Sequence, residues 1–129
     1  MKMKTLTIFI ALTFSVMFSS SSYAGWTEVG ENDLGTFYVD LERIRKADGY
    51  FYWWELVDLL KPTTEGRLSG NMYNQGDCKL FRVKRLSASF YEEPMGEGIG
   101  GTHSPKNPKW TYPRPDSISE IILKSVCNQ

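Results

Sequence analysis

The sequence predicts an α+β domain: an antiparallel β-meander of about five to six strands, with one C-terminal helix packed across it. Three observations carry this reading. Short runs rich in aromatic and β-branched residues recur between turn signals from Trp26 to Tyr91. Helical spacing of apolar residues is convincing only after Ser117. Cys78 follows a strand-turn signal, and Cys127 ends the helical segment.

Taken in order, "WTEVG" from Trp26 and "TFYVD" from Thr36 to Asp40 read as two strands joined by "ENDLG". "ERIRK" continues extended to a turn at Ala47–Gly49. Tyr50 to Leu60, "YFYWWELVDLL", is the longest apolar run in that region and is stopped by Pro62; its aromatic content favours a strand. At period two, Tyr50, Tyr52, Trp54 and Leu56 share one face, and Phe51, Trp53, Val57 and Leu59 share the other. Two apolar faces imply a central strand covered on both sides, by a helix and by a bent sheet arm or a second copy.

"RLSGNMYNQ" and "KLFRVKRLSASFYEE" give the next two strands, with "QGDCK" as the tight turn between them. A long Gly- and Pro-rich path from Pro94 to Pro115 follows. Ser117-x-x-Glu120 is a capping box, in which hydroxyl and carboxylate each satisfy a free N–H of the first helical turn. Ile118, Ile121, Ile122 and Val126 then lie on one helical face.

Residues 1–24 read as a secretory signal peptide. Lys2 and Lys4 precede the 13-residue run Leu6 to Phe18, and Ser22 and Ala24 supply the small residues before cleavage. That run falls short of the roughly 20 apolar residues of a spanning helix, so no membrane span is expected after cleavage. No Cys stands at the cleavage region, so a lipid anchor is not indicated. Residues 25–129 form a single domain on this reading. Losing two lysines leaves 13 basic against 15 acidic residues, a net charge of −2. Nucleic-acid binders are normally strongly basic, which excludes that partner class. In an oxidising compartment, the only two cysteines form one intramolecular disulfide, Cys78–Cys127. Closing a loop of about 50 residues stabilises by roughly 4 kcal/mol in the chain-entropy picture.

Gly96-x-Gly98-x-x-Gly101 matches a dinucleotide fingerprint in spelling alone. Such glycines act between a parallel strand and a helix N-terminus. Here an antiparallel strand precedes them, and a segment with four prolines follows. The glycines instead let the chain leave the last strand, and Trp110 and Tyr112 pin an extended return path to the sheet or helix. His103 is the only histidine, and its neighbour Ser104 is poorly placed to form a nucleophile–base pair with it. Glu55 and Asp58 fall on opposite strand faces. No ligand cluster for a metal is present, and no cofactor is expected. Within "KLFRVKR", Arg82 and Lys84 share a face while Arg85 points the other way. They form either a small anion site or cross-strand ion pairs.

In the order of its signals the chain resembles the surface-adhesin protein E family of small exported bacterial proteins. The resemblance runs from Trp26 through "GTFYVD", Lys61-Pro62, Asp77-Cys78, Phe90-Tyr91, Trp110 and Pro115-x-Ser117 to Val126-Cys127. It implies a compact antiparallel sheet with a C-terminal helix, no known enzymatic activity, and adhesion by a surface-exposed member to host extracellular proteins. The family's lipid-anchoring Cys has no counterpart here. The function expected is therefore that of an exported, non-catalytic binding protein, periplasmic or secreted from a Gram-negative bacterium. It recognises a protein or envelope polymer through the sheet face and the Gly96–Tyr112 loop. The candidate surface comprises Arg82, Lys84, His103, Lys106 and Trp110. The alternative is a small exported hydrolase, or enzyme accessory, using His103. The two-sided aromatic strand also allows a homodimer.

Overall fold

The computed structural model describes residues 25–129; the segment read as a signal peptide lies outside the described residues. Among the described residues, eight antiparallel strands form one sheet and a single α-helix follows it. The strands are β1 (Trp26–Glu31), β2 (Gly35–Asp40), β3 (Arg45–Ala47), β4 (Tyr50–Leu59), β5 (Ser69–Asp77), β6 (Arg82–Tyr91), β7 (Gly100–His103) and β8 (Trp110–Thr111). Helix α1 spans Ile118–Cys127. The order is β1-β2-β4-β5-β6-β7, with β3 beside β2 on one edge of β4 and β8 beside β7 on the outer edge of β6. Among the described residues no helix is long and apolar enough to cross a membrane.

The predicted α+β meander is the observed fold. The strand count rises because β3, β7 and β8 are only two to four residues long. Pieces that short carry no readable hydrophobic period, since a neighbour's backbone holds them. Leu41–Arg43 forms one 3₁₀ turn where a continuous extended segment was expected. The following Ile44 is extended, and Arg45 re-enters the sheet opposite Tyr52.

Register fixes which side chains meet. Directly opposite residues share a face, so Val39, Glu55 and Met72 form one row and Phe37, Val57 and Gly70 the next. That face carries the core: Val39, Trp53, Val57 and Met72 pack with Ile122, Leu123 and Val126 of α1. Helix packing chose Leu123 over Ile121, which is 40% exposed. Ile121 sits within the apolar arc by spacing, but the helix rolls toward Leu123. Ser117 Oγ accepts from Glu120 N at 3.2 Å, as expected of the cap. The Glu120 carboxylate reaches back to Asp116 N instead of the Ser117 N–H, which donates to Arg114 O.

The Cys78–Cys127 disulfide is formed, with Cα atoms 5.9 Å apart. It fastens the end of α1 to the β5–β6 turn. Among the described residues the cover on the other face of β4 is a turn segment rather than a bent sheet arm. The stretch from Glu93 to Glu97 reaches that face near Leu56 and Asp58, and Tyr50, Tyr52 and Trp54 remain half-buried.

Candidate functional site

Three of the predicted surface residues come together on the face away from α1. Lys84 stands opposite Gln75 on β5 and opposite Trp110 on β8. Thr111 secures β8 by donating its hydroxyl to Val83 O at 3.1 Å. The Trp110 ring therefore lies under two cations, with Arg82 Cζ 4.2 Å and Lys84 Nζ 4.4 Å from its centroid. Tyr50 flanks it at 5.6 Å between ring centroids. Such contacts are worth about 0.5–1 kcal/mol at exposed sites. Here they hold the return path in place, as expected for Trp110. Tyr112 is 65% exposed, yet its side chain hydrogen-bonds the same Arg82.

Asp77 sets the position of Arg82. Its carboxylate accepts from Lys79 N and Leu80 N at 3.1 Å each and from Arg82 Nε at 3.0 Å. The Leu80 N–H, followed by Arg82, holds the carboxyl below the usual aspartate range against a smaller opposing effect of burial. The aromatic row continues along the sheet. Trp54 packs on Tyr73 at 4.7 Å, Tyr52 lies 6.2 Å from Tyr73, and Arg45 Cζ is 5.0 Å from the Tyr52 centroid. This face thus carries aromatic rings with cations at both ends.

His103 and Lys106 are not part of that cluster. His103 stands opposite the buried Ala88, so it projects on the helix side of the sheet. Its position along β6 is four residues from Lys84, about 13 Å at strand rise. Lys106 lies exposed between β7 and β8. Among the described residues no carboxylate bonds or pairs with His103, and no group of three or more His, Cys, Asp or Glu is placed to hold a metal.

The glycine-rich segment is a hairpin joining β6 to β7. Tyr91 pairs with Gly100, and Glu92 N donates to Ile99 O. Met95, Gly96 and Gly98 take φ of 61°, 74° and 82°, values that glycine reaches without a Cβ clash. Met95 N and Gly96 N donate to Asp58 Oδ1 and Ser69 Oγ, at 3.2 and 2.8 Å. These backbone groups are turned onto the sheet rather than toward a phosphate.

On the helix side the sequence reading missed a hollow of about 560 Å³ with both polar and apolar lining. It lies between the sheet, the N-terminus of α1 and the return path, with Trp53, Glu55, Asn74, Arg85, Lys109 and Arg114 in its wall. Glu55 sits in the middle of the core face, 6% exposed. It accepts from Asn74 Nδ2 at 2.7 Å and lies 3.5 Å from Arg85 Nη2. Burial pushes its carboxyl up, opposed by Arg85 and Asn74. The signal was present in the sequence: Glu55 is the one acid on the Phe51–Leu59 face of β4. Arg85 also borders a second, more apolar hollow of about 460 Å³ between Leu34, Phe37, Leu59 and Phe90.

The profile of the surface-adhesin protein E family matches residues 26–128. No curated protein matches the chain. Among solved structures the chain is similar to crystal form II of Haemophilus influenzae protein E. The TM-score is 0.62 at 20% identity, covering 81% of this chain and 88% of that one. A second structure of Haemophilus influenzae protein E gives a TM-score of 0.61 at 21% identity, covering 81% and 85%. Protein E from the non-typeable organism gives 0.61 at 18%, covering 81% and 76%. At these identities the structures establish a shared fold.

Proposed function

We propose, for a chain that belongs to the surface-adhesin protein E family, an adhesin-like and non-catalytic role in binding an extracellular or envelope protein. The recognition surface is the cationic and aromatic face around Arg82, Lys84 and Trp110. One observation carries this reading: Trp110 is held between Tyr50, Arg82 and Lys84 on a face that α1 does not cover. Ordered aromatics with fixed cations present contact area at low entropic cost and favour acidic partner segments. Residues 1–24 direct export, and the 25–129 domain acts in the periplasm or outside the cell. The Cys78–Cys127 bond suits either location.

Immobilised, oxidised residues 25–129 provide the test, with envelope extract and purified extracellular-matrix proteins as prey. Specific capture that is lost on joint Lys84→Ala and Trp110→Ala substitution supports the reading. Capture unchanged by that pair places recognition elsewhere. His103→Ala leaves binding intact on this reading, whereas a histidine-dependent hydrolase would lose its activity. A homodimer would bury the Tyr52–Trp54–Tyr73 row, and sedimentation of the same sample decides between monomer and dimer.

A further inference from the structure

Asp40 closes β2, and its carboxylate is only half engaged. The residue is 1% exposed. Oδ2 accepts from Arg43 Nε, whereas Oδ1 has no hydrogen-bond partner among the described residues. Asp40 precedes the 3₁₀ turn of Leu41–Arg43, a position from which aspartate ordinarily caps a helical turn. Its side chain makes no capping bond there. The carboxylate is turned instead toward the start of β1, where Trp26 pairs with Asp40. A buried acceptor left unmet destabilises the fold, so the free oxygen calls for a physical reason.

Gly25 is the neighbour of that oxygen. A Cβ built on Gly25 would stand 3.3 Å from Asp40 Oδ1 and 3.6 Å from Oδ2. Apart from the chain neighbours of Gly25, no atom outside Asp40 lies closer to that place. Oδ1 is closed to solvent, so a ligand from outside does not reach it. A group carried on the Gly25 Cα does. In a chain that begins at Gly25, the α-nitrogen is such a group. Its bond to Cα is about as long as a Cα–Cβ bond. Rotation by about a third of a turn around Cα–C carries it into the Cβ place and moves nothing after Gly25. There it stands within reach of a charge-assisted hydrogen bond to Oδ1. In the unprocessed chain the same nitrogen is a neutral amide tethered to Ala24. Any side chain at this position would fill the vacant place, and the φ of 91° also favours glycine.

We propose that cleavage after Ala24 creates the missing partner: the α-ammonium of Gly25 docks on Asp40 Oδ1, and removal of residues 1–24 thereby locks β1 to β2. This rests on the reading of residues 1–24 as an export leader. Hydrolysis by a peptidase of the export machinery breaks the Ala24–Gly25 amide. The hydroxyl of water goes to the Ala24 carbonyl carbon and its proton to the Gly25 nitrogen. That nitrogen takes a second proton from solvent and is largely cationic at neutral pH. Asp40 then holds two cations, Arg43 on Oδ2 and the new terminus on Oδ1. The lock matters because β1 is at the sheet edge. A Cβ on Gly30 of the same strand would meet Ile118 Cδ1 at 2.8 Å, so the first turn of α1 rests on β1. Processing secures the edge that supports the helix, and the unprocessed chain folds less firmly.

The test begins with the intact mass of the exported protein. A start at Gly25 supports the proposal; any other start overturns the cleavage reading and the lock with it. Urea unfolding at neutral pH then compares three oxidised forms. They are the chain from Gly25, the same chain acetylated at its N-terminus, and the chain retaining Ala24. The last keeps a positive terminus but moves it one residue away. Acetylation and retained Ala24 should each lower the folding equilibrium constant about tenfold, the effect of losing one charge-assisted hydrogen bond. Hydrogen exchange in β1 should accelerate in both. The same two changes made in Asp40→Asn should have little effect. The acetylated and extended forms keep Asp40, so their comparison stands even where Asp40→Asn fails to fold. Equal stability of the three forms overturns the lock and leaves the cleavage reading intact. An equal loss with and without Asp40 does the same, since it assigns the effect to the terminus alone.

Discussion

Trp53 lies so close over Gly76 that a Cβ added to the glycine would stand 2.6 Å from Trp53 Cζ3 and 3.0 Å from Leu123 Cδ1. The contact joins three elements: Trp53 from β4, the glycine from β5, and Leu123 from α1. Gly76→Ala therefore forces the ring or the helix to move. A loss of about 1–3 kcal/mol is expected, as for overpacking elsewhere. Urea unfolding of the oxidised protein measures it. An unchanged midpoint would mean that the ring shifts freely.

Glu55 gives a pH dependence whose sign follows from its burial. Its folded-state carboxyl titrates above the ordinary value of 4.5, so the folded state holds the proton to higher pH than the unfolded chain. The associated stability is complete below that ordinary value and is lost as pH rises through the raised one. Glu55→Gln keeps an Oε1 acceptor for Asn74 and removes the titration. The variant should match the wild type in acid and exceed it increasingly above pH 4.5, measured by chemical unfolding across pH.

Asp77 behaves in the opposite direction. The Leu80 N–H and Arg82 hold its carboxyl below the ordinary 3.8, so its contribution is present above that value and is lost as pH falls through the depressed one. Asp77→Asn keeps an oxygen for the turn but gives up the charge beside Arg82. The wild type should be the more stable at neutral pH, and the gap should close in strong acid. A gap that persists there would assign the effect to hydrogen bonding alone.

Ser69 is fully buried and ties the glycine hairpin to the sheet. Its hydroxyl donates to Glu93 O at 2.6 Å and accepts from Gly96 N at 2.8 Å. Ser69→Ala removes both bonds and should cost about 1–3 kcal/mol. Hydrogen exchange should accelerate most at Gly96, where a backbone N–H loses its acceptor. Uniform acceleration across the sheet would instead indicate global loss.

The legible parts of this molecule are those in which a local pattern and its consequence coincide. The aromatic run at Tyr50–Leu59 became β4, Ser117 became the helix cap, and the two cysteines became the bridge. Arg82, Lys84 and Trp110 could be named as candidates because strand parity and an aromatic in a proline-rich path are visible in the sequence. That they form one stack could not be read, since it depends on β8, a two-residue strand fixed by the backbone of β6. His103 falls in with them on sequence alone because sequence gives proximity along the chain but not the face onto which a hairpin turns. The hollow on the helix side escaped for a related reason. Glu55, Asn74 and Arg85 come from three strands, and the shift in β5–β6 register between Tyr73 and Asn74 sets which residue of β6 meets Asn74. A bulge of that kind leaves no mark in a period-two reading.

The 49-residue separation of Cys78 and Cys127 also has a consequence in time. A chain entering an oxidising compartment N-terminus first can pair β1 through β5 as successive local hairpins. Cys78 arrives with them and must wait as a bare thiol until the rest of the meander and the helix have followed. During that interval Trp53 and Val57 have no lid, and the half-built sheet offers both a sticky face and a reactive sulfur to its neighbours. Closing the bridge ends both exposures in one event. Its partner is the last residue of α1, so a chain truncated before Cys127 is left marked by a free thiol.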